Sequence, residues 1–346
     1  MYKGKFFEWP NGAYIAVVFN MSWEIPPKTL GTTVDQNRGR GASSAAKYTR
    51  VMRPVYETAF AETGGMQRLL DLWKRYEIQT STYADGLNVS LFPDLAREVA
   101  ANGHEFLVQG WDHEFLCDMT AQEQADGIAR ANKAFETVLG KKASGFSSPG
   151  GHLTPETFSI LAEQGFKYTC GMRNAEVPFI IRINDKKLVG MTGYAVSDTN
   201  SSKGMNVREI VEMWRDYFDA LYDEGKRGFP KMLAYGMHPV LAHGFRTRPL
   251  EEVIRYVKAK SNVWITTRDQ IADWVLENYP ERDLASFYPE AIASDKHYGL
   301  GQALTGRKTF RLESRDFSEF PTLQFQRDYQ APRRRRRGIF CAASSC

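Results

Sequence analysis

Ala13-Tyr14-Ile15-Ala16-Val17-Val18-Phe19-Asn20-Met21-Ser22-Trp23-Glu24 is the stretch on which the reading of this chain turns. Its apolar first half predicts a buried strand. Polar groups begin where that strand would reach its carboxyl end. In parallel α/β architectures this edge is where chemistry is done. Side chains alternate across an extended chain, so Asn20, Ser22 and Glu24 fall on one face. Two further runs end in the same way. Phe106-Leu107-Val108 leads into Gln109-Gly110-Trp111-Asp112-His113, and Met232-Leu233-Ala234-Tyr235 leads, through Gly236, into Met237-His238-Pro239. Three separated segments thus carry polar groups directly after short apolar runs, the pattern of a site assembled from strand ends.

Around these runs, strand-like and helix-like segments alternate. Helices are expected over 65–76, 93–102, 121–139, 154–165, 206–224, 249–259 and 269–278, and short strands at 79–83, 144–147, 166–170 and 263–265. About seven strand–helix units follow, which predicts an α/β fold with a parallel sheet or barrel. The Gly- and Arg-bearing segment Asn37-Arg38-Gly39-Arg40-Gly41 reads as a long binding loop. The expected domain covers residues 9–281, and 282–346 reads as an irregular extension, disordered by composition towards its end.

The formal net charge of +4 is inflated by the run Arg333 to Arg337, without which the remainder is close to neutral. That removes the case for a nucleic-acid partner, and the arginine run reads as a solvated tail. No uninterrupted apolar stretch is long enough for a membrane span, and no apolar leader follows Met1. Cys117, Cys170, Cys341 and Cys346 lack the spacing of a zinc or redox motif and read as free thiols in a reducing compartment. A cytoplasmic protein acting on a small molecule, free or as a homo-oligomer, is the expectation.

Glu24 is the ionisable group of the first strand end, suited to general-base work once burial tunes it. His238 follows a strand and precedes a proline that fixes the turn, and histidine titrates near neutrality. His113 is the third candidate. His243 and Arg246 lie in the loop beyond His238, where they could meet an anionic substrate. Ser148, in Ser147-Ser148-Pro149-Gly150-Gly151, reads as a contact in a substrate-lining turn, since the Gly-x-Ser-x-Gly elbow of a serine nucleophile is missing there. Gly-rich phosphate loops are missing too. His104 reads as structural.

The ordered set of motifs resembles the polysaccharide deacetylase superfamily, the NodB-homology fold. The resemblance spans residues 9–279 and rests on the 15–24 stretch, Gly103-His104-Glu105, Gln109 to Glu114, Gly145 to Gly150, His238-Pro239 and Val263-Trp264-Ile265-Thr266-Thr267-Arg268. Allantoinase-like and cyclic-imide-hydrolase-like members are the more similar subgroup. The resemblance implies a distorted (β/α) barrel with its site at the carboxyl ends of the strands. It also implies specific departures. The family's Asp-x-Asp-x-Glu falls on Asn20, Ser22 and Glu24, its two metal histidines on Gln109 and His113, and an arginine on Ser147, while its late histidine is kept as His238.

Ser22, Gln109 and His113 offer one good zinc ligand where three are usual, so no metal and no other cofactor is expected. The reading is therefore a metal-independent hydrolase of a small cyclic amide, imide or ureide. Glu24 accepts a proton from water, His113 and Gln109 hold the water or polarise the carbonyl, and His238 protonates the departing nitrogen. Asn20, Ser22, Ser148, His243 and Arg246 are substrate contacts, and Trp23, Trp111 and Phe146 are flat walls for a ring. Two alternatives stand beside it: a metal-dependent N-deacetylase of a carbohydrate, and a non-catalytic binding protein on the same scaffold.

Overall fold

The computed structural model describes residues 7–24, 52–172, 175–194, 196–201 and 204–280. The loop at 37–41, the arginine run, Cys341, Cys346 and the expected extension from 282 lie outside the described residues. Ten strands form one curled sheet: β1 (Ile15–Trp23), β2 (Ser81–Asp85), β3 (Glu105–Gly110), β4 (Gly145–Ser147), β5 (Tyr168–Met172), β6 (Phe179–Ile183), β7 (Lys186–Thr192), β8 (Val196–Ser197), β9 (Lys231–Met237) and β10 (Val263–Thr266). Their order is β6-β7-β5-β4-β3-β2-β1-β9-β8, with β10 paired to β1. All pairings are parallel except the β6–β7 hairpin. The expected α/β barrel architecture is present as this curled half-barrel with helices on its outer side.

β1 organises the sheet because both of its faces are apolar. All nine of its residues are buried, as expected of a central strand covered on both sides. The period of two divides it. Ile15, Val17, Phe19, Met21 and Trp23 join the outer core, packed with Leu69, Trp73, Val253 and Val257 of the surrounding helices. Ala16 and Val18 join an inner core with Tyr83, Leu107, Tyr168, Cys170, Ile180, Val189, Met191, Met232 and Ala234, drawn from seven of the ten strands. Phe7, Trp9 and Ala13, with Ile271, Ala272 and Val275, complete that inner core. Trp9 Nε1 donates to Lys231 O at the amino end of β9. Above the inner apolar layer, the same face of β1 continues as Asn20, Ser22 and Glu24.

Helix ends follow their local chemistry. The helices at Ala121–Leu139, Val207–Lys226 and Arg268–Asn278 each begin with a reciprocal capping box, Thr120 with Glu123, Asn206 with Glu209 and Thr267 with Gln270. Each satisfies backbone donors that the first turn leaves open. Two expected boundaries need correction. The helix expected from residue 249 begins at Gly244, so Pro249 sits in its second turn, buried, rather than at its start. The β6–β7 hairpin falls where the sequence reading placed no element. Asn184 and Asp185 form its two-residue turn, with Asn184 at φ 55°, the left-handed conformation that asparagine tolerates. Among the described residues, no helix is long and apolar enough to cross a membrane. Cys117 and Cys170 are free thiols.

Candidate active site

Parity places the first carboxylate. Glu24 directly follows β1 on its lumen-facing side, and its side chain is 28% exposed. β2 brings Asp85 to the same mouth in the series Ser81, Tyr83, Asp85, and β3 brings Gln109 after Glu105 and Leu107. β9 delivers His238 at its carboxyl end. Gln109 Nε2 donates to Glu24 Oε1 at 3.0 Å. His238 Nε2 lies 3.7 Å from Glu24 Oε1, and His113 Nε2 lies 3.9 Å from Glu24 Oε2. The three groups expected to act together thus share one cleft, with the carboxylate between two imidazoles.

Each imidazole is backed by an aspartate that the sequence reading did not single out. His238 Nδ1 is 2.6 Å from Asp198 Oδ1, and the His238 backbone N–H donates to Asp198 Oδ2 at 2.8 Å. An ionised carboxylate only accepts hydrogen bonds, so Nδ1 carries the proton and Nε2 is the atom offered to the cleft. Burial works against protonation of His238, but Asp198, and then Glu24, outweigh it and hold its pKa above the ordinary histidine value. His113 Nδ1 stands 3.4 Å from Asp85 Oδ2. Burial opposes the charged form here too, and Asp85, Glu24 and Glu114 again raise the pKa overall.

The turn that carries His113 is built around Glu114, whose Oε2 accepts from the backbone N–H groups of Trp111 and Asp112 at 2.9 and 3.0 Å. Gly110 makes room for it: its φ is 147°, and a Cβ there would fall 2.8 Å from Glu114 Oε2. His113 itself has φ 66°. A non-glycine residue in that region carries about 1–3 kcal/mol of strain, a cost concentrated at functional sites.

Below the mouth lies a buried cation. Arg268 is fully buried, with Nε donating to Asn20 Oδ1 at 3.1 Å and Nη1 to Thr192 O at 2.7 Å. Its backbone N–H donates to Glu105 Oε1 at 2.8 Å, and the next residue's N–H to Glu105 Oε2 at 2.9 Å. Glu105 also accepts from Ser81 Oγ, and burial pushes its pKa up to about 7. Asn20 Nδ2 donates to Tyr235 O at 2.8 Å. An aspartate at this position would meet that carbonyl with a bare oxygen and would be neutralised by Arg268, so the amide suits the floor as built.

Several expected contacts need correction. Asn20 spends both ends of its amide on the protein and anchors the floor instead of meeting substrate. Trp23 and Phe146 are fully buried in the outer core. Trp23 Nε1 donates to Glu62 at 2.8 Å, and Phe146 packs edge-on to Phe166. Both have the outward parity, so neither can wall the cleft. Trp111 is half-buried, and one face is taken by Arg130, whose Cζ lies 3.6 Å from the ring centroid. His243 is exposed and stacks on Phe60, with centroids 4.0 Å apart. Arg246 lies over Phe245. Neither contact joins the Glu24 group. Ser148 is buried with its hydroxyl directed at Pro149 O, 3.3 Å away. Ser22 does face the lumen, and its buried Oγ makes no well-formed hydrogen bond among the described residues, with the Tyr194 phenol against it. Beside it stands the half-buried Tyr194, a residue the sequence reading missed. Its phenol is pushed up to about 12 by burial, then by Glu24, so it keeps its proton at ordinary pH.

These motifs in this order have counterparts among known proteins. Residues 57–169 match the polysaccharide deacetylase family model. Over that span the chain is similar to the polysaccharide deacetylase family. It is 24% identical to the peptidoglycan deacetylase of Helicobacter pylori, over 64% of this chain and 87% of that one. Its fold is shared with a probable polysaccharide deacetylase of Pseudomonas aeruginosa PAO1 (24% identity, TM-score 0.67, 79% of this chain and 94% of that one). It is also shared with Puue allantoinase (24% identity, TM-score 0.67, 79% and 93%). The likeness places the chain among hydrolases of carbon–nitrogen bonds other than peptide bonds.

The divalent cation that the family resemblance implies does not fit this chain's donor set. The corresponding positions present a serine hydroxyl, a glutamine amide whose N–H points at Glu24, and one histidine. Among the described residues, no three His, Cys, Asp or Glu side chains converge as metal ligands. Zinc sites use three or four charged or imidazole donors.

Proposed function

We propose that this protein is a metal-independent hydrolase of a small cyclic amide, imide or ureide, with Glu24 as general base and His238 as general acid. The observation that supports this most is the carboxylate of Glu24 held between two aspartate-backed imidazoles, 3.7 and 3.9 Å away. Water positioned by His113 and Gln109 gives a proton to Glu24 as its oxygen bonds to the carbonyl carbon. The C–N bond then breaks, its electron pair stays on nitrogen, and His238 Nε2 supplies the proton that nitrogen needs. Glu24 passes the proton it gained to His238, and both return to their starting states. Ring opening keeps both products in one molecule. A cytoplasmic place of action goes with this reading.

The test is a panel of succinimide, hydantoin, allantoin and dihydrouracil beside chitopentaose, assayed on protein dialysed against a chelator. Ring opening that survives chelation is the expected result. Release of acetate from chitopentaose only after zinc is restored would replace this reading with a metal-dependent N-deacetylase, the alternative favoured by the likeness to the Helicobacter pylori enzyme.

A further inference from the structure

We propose that Tyr194, assisted by Ser22, is the oxyanion donor of this site; the proposal rests on the amide-hydrolase reading above. Attack by water on a carbonyl moves the π electron pair onto oxygen, and that oxygen needs donors aimed at it in advance. A bound cation commonly meets this need, but the donor set here does not suit one. Several other polar groups of the floor are committed, while Arg268 Nη2 is a buried donor without a hydrogen-bond partner among the described residues. Gln109 Nε2 donates to Glu24, Asn20 Nδ2 to Tyr235 O, and Arg268 Nε and Nη1 to Asn20 and Thr192.

Tyr194 has a purpose-shaped seat. Its ring lies on Gly236, where a Cβ would fall 2.7, 2.8 and 2.9 Å from Cγ, Cδ2 and Cδ1. It meets the His238 ring edge-on, at 90° with centroids 6.2 Å apart. Opposite it, β1 pairs with β9 in the register Asn20 to Gly236 and Met21 to Met237, which sets Ser22 level with His238. The buried Ser22 Oγ makes no well-formed hydrogen bond among the described residues and lies against the Tyr194 phenol, so the two hydroxyls sit side by side. The proposal places both hydroxyls at the cleft between the base and the acid. In the proposed step both hydroxyls donate to the developing oxyanion and keep their protons. The electron pair returns to re-form C=O as C–N breaks.

The experiment compares Tyr194→Phe, Ser22→Ala and Glu24→Gln on whichever panel ring the wild type opens fastest. Tyr194→Phe keeps the ring on its seat. It is expected to lower kcat by about 10²–10³, the usual loss for one oxyanion donor, with KM little changed. A cyclic phosphonamidate analogue of the same ring should lose affinity for Tyr194→Phe by a comparable factor, while affinity for the ring-opened product stays put. Wild-type kcat in Tyr194→Phe, with Glu24→Gln inactive, overturns the oxyanion role and leaves the hydrolase reading standing. Equal loss of analogue and product affinity also overturns it, as a general distortion of the cleft. Full activity in Glu24→Gln, or no amide cleaved by the wild type, removes the underlying reading and this proposal with it.

Discussion

The two histidine–aspartate pairs resemble each other in composition and differ in how they are held. His238 and Asp198 are joined twice, through the ring at 2.6 Å and through the backbone N–H at 2.8 Å, and both are nearly sealed from solvent. His113 and Asp85 meet once, at 3.4 Å, and the ring nitrogen makes no aligned hydrogen bond. The histidine of that second pair rides on a left-handed backbone in a glycine-broken turn. The first pair is built to present one nitrogen in one protonation state, as a proton donor must. The second has slack to settle around a bound water or carbonyl. The same two residue types thus give a fixed acid on one side of Glu24 and an adjustable orienting group on the other.

The largest effect tests what the pairs have in common. Glu24→Gln removes the charge both imidazoles face, and kcat should fall by about 10²–10⁴ in steady-state assays. Wild-type turnover would mean that neither pair serves the chemistry. Next comes the rigid side. Asp198→Asn should cost about 10² in kcat, at the low end of that range. It should also shift pH dependence in a defined direction. Asp198 raises the His238 pKa, so the imidazolium persists above the ordinary histidine value of 6.5 and is lost as pH rises through the raised value. The alkaline limb of kcat/KM should therefore move to lower pH in the variant. By the same sign, this pair stabilises the fold fully below the unfolded histidine pKa and less as pH rises through the folded one. A limb that stays put would assign it to another group.

The looser side should respond less. Asp85→Asn removes a contact worth about 1 kcal/mol, so kcat/KM should drop no more than roughly tenfold, expressed mainly in KM. A loss equal to that of Asp198→Asn would erase the distinction between the pairs. The smallest expected effect is none: turnover measured before and after dialysis against a chelator should agree, and recovery on adding zinc would show that His113 belongs to a metal site instead.

Much of this was legible in the residues. The alternation of β1 announced both the buried strand and the face carrying Asn20, Ser22 and Glu24, and the strand ends gave His113 and His238. The same alternation, carried one step further, would have turned Trp23 and Phe146 outward. Aromatic character suggested a wall where parity already assigned a core. Asp85 was within reach, two residues beyond the expected end of its strand, in phase with Ser81 and Tyr83. Asp198 and Tyr194 were not. They flank the two-residue strand β8, too short for any period to show, and their partners lie 40 residues away or more along the chain. The Arg268 floor was visible as a motif but not as a contact, because its partner Asn20 is 248 positions distant.

That distance has a consequence for how the molecule is made. β10 lies along residues 15–18 of β1, below the stretch of 20–23 that β2 occupies. Among the described residues, the first strand to be made is therefore completed by the last. Until residues 263–268 emerge, the lower half of β1 offers a bare row of amides and carbonyls, the kind of edge that recruits another chain. Nascent chains stalled short of that point should need a chaperone, whereas chains released just beyond it should close on themselves.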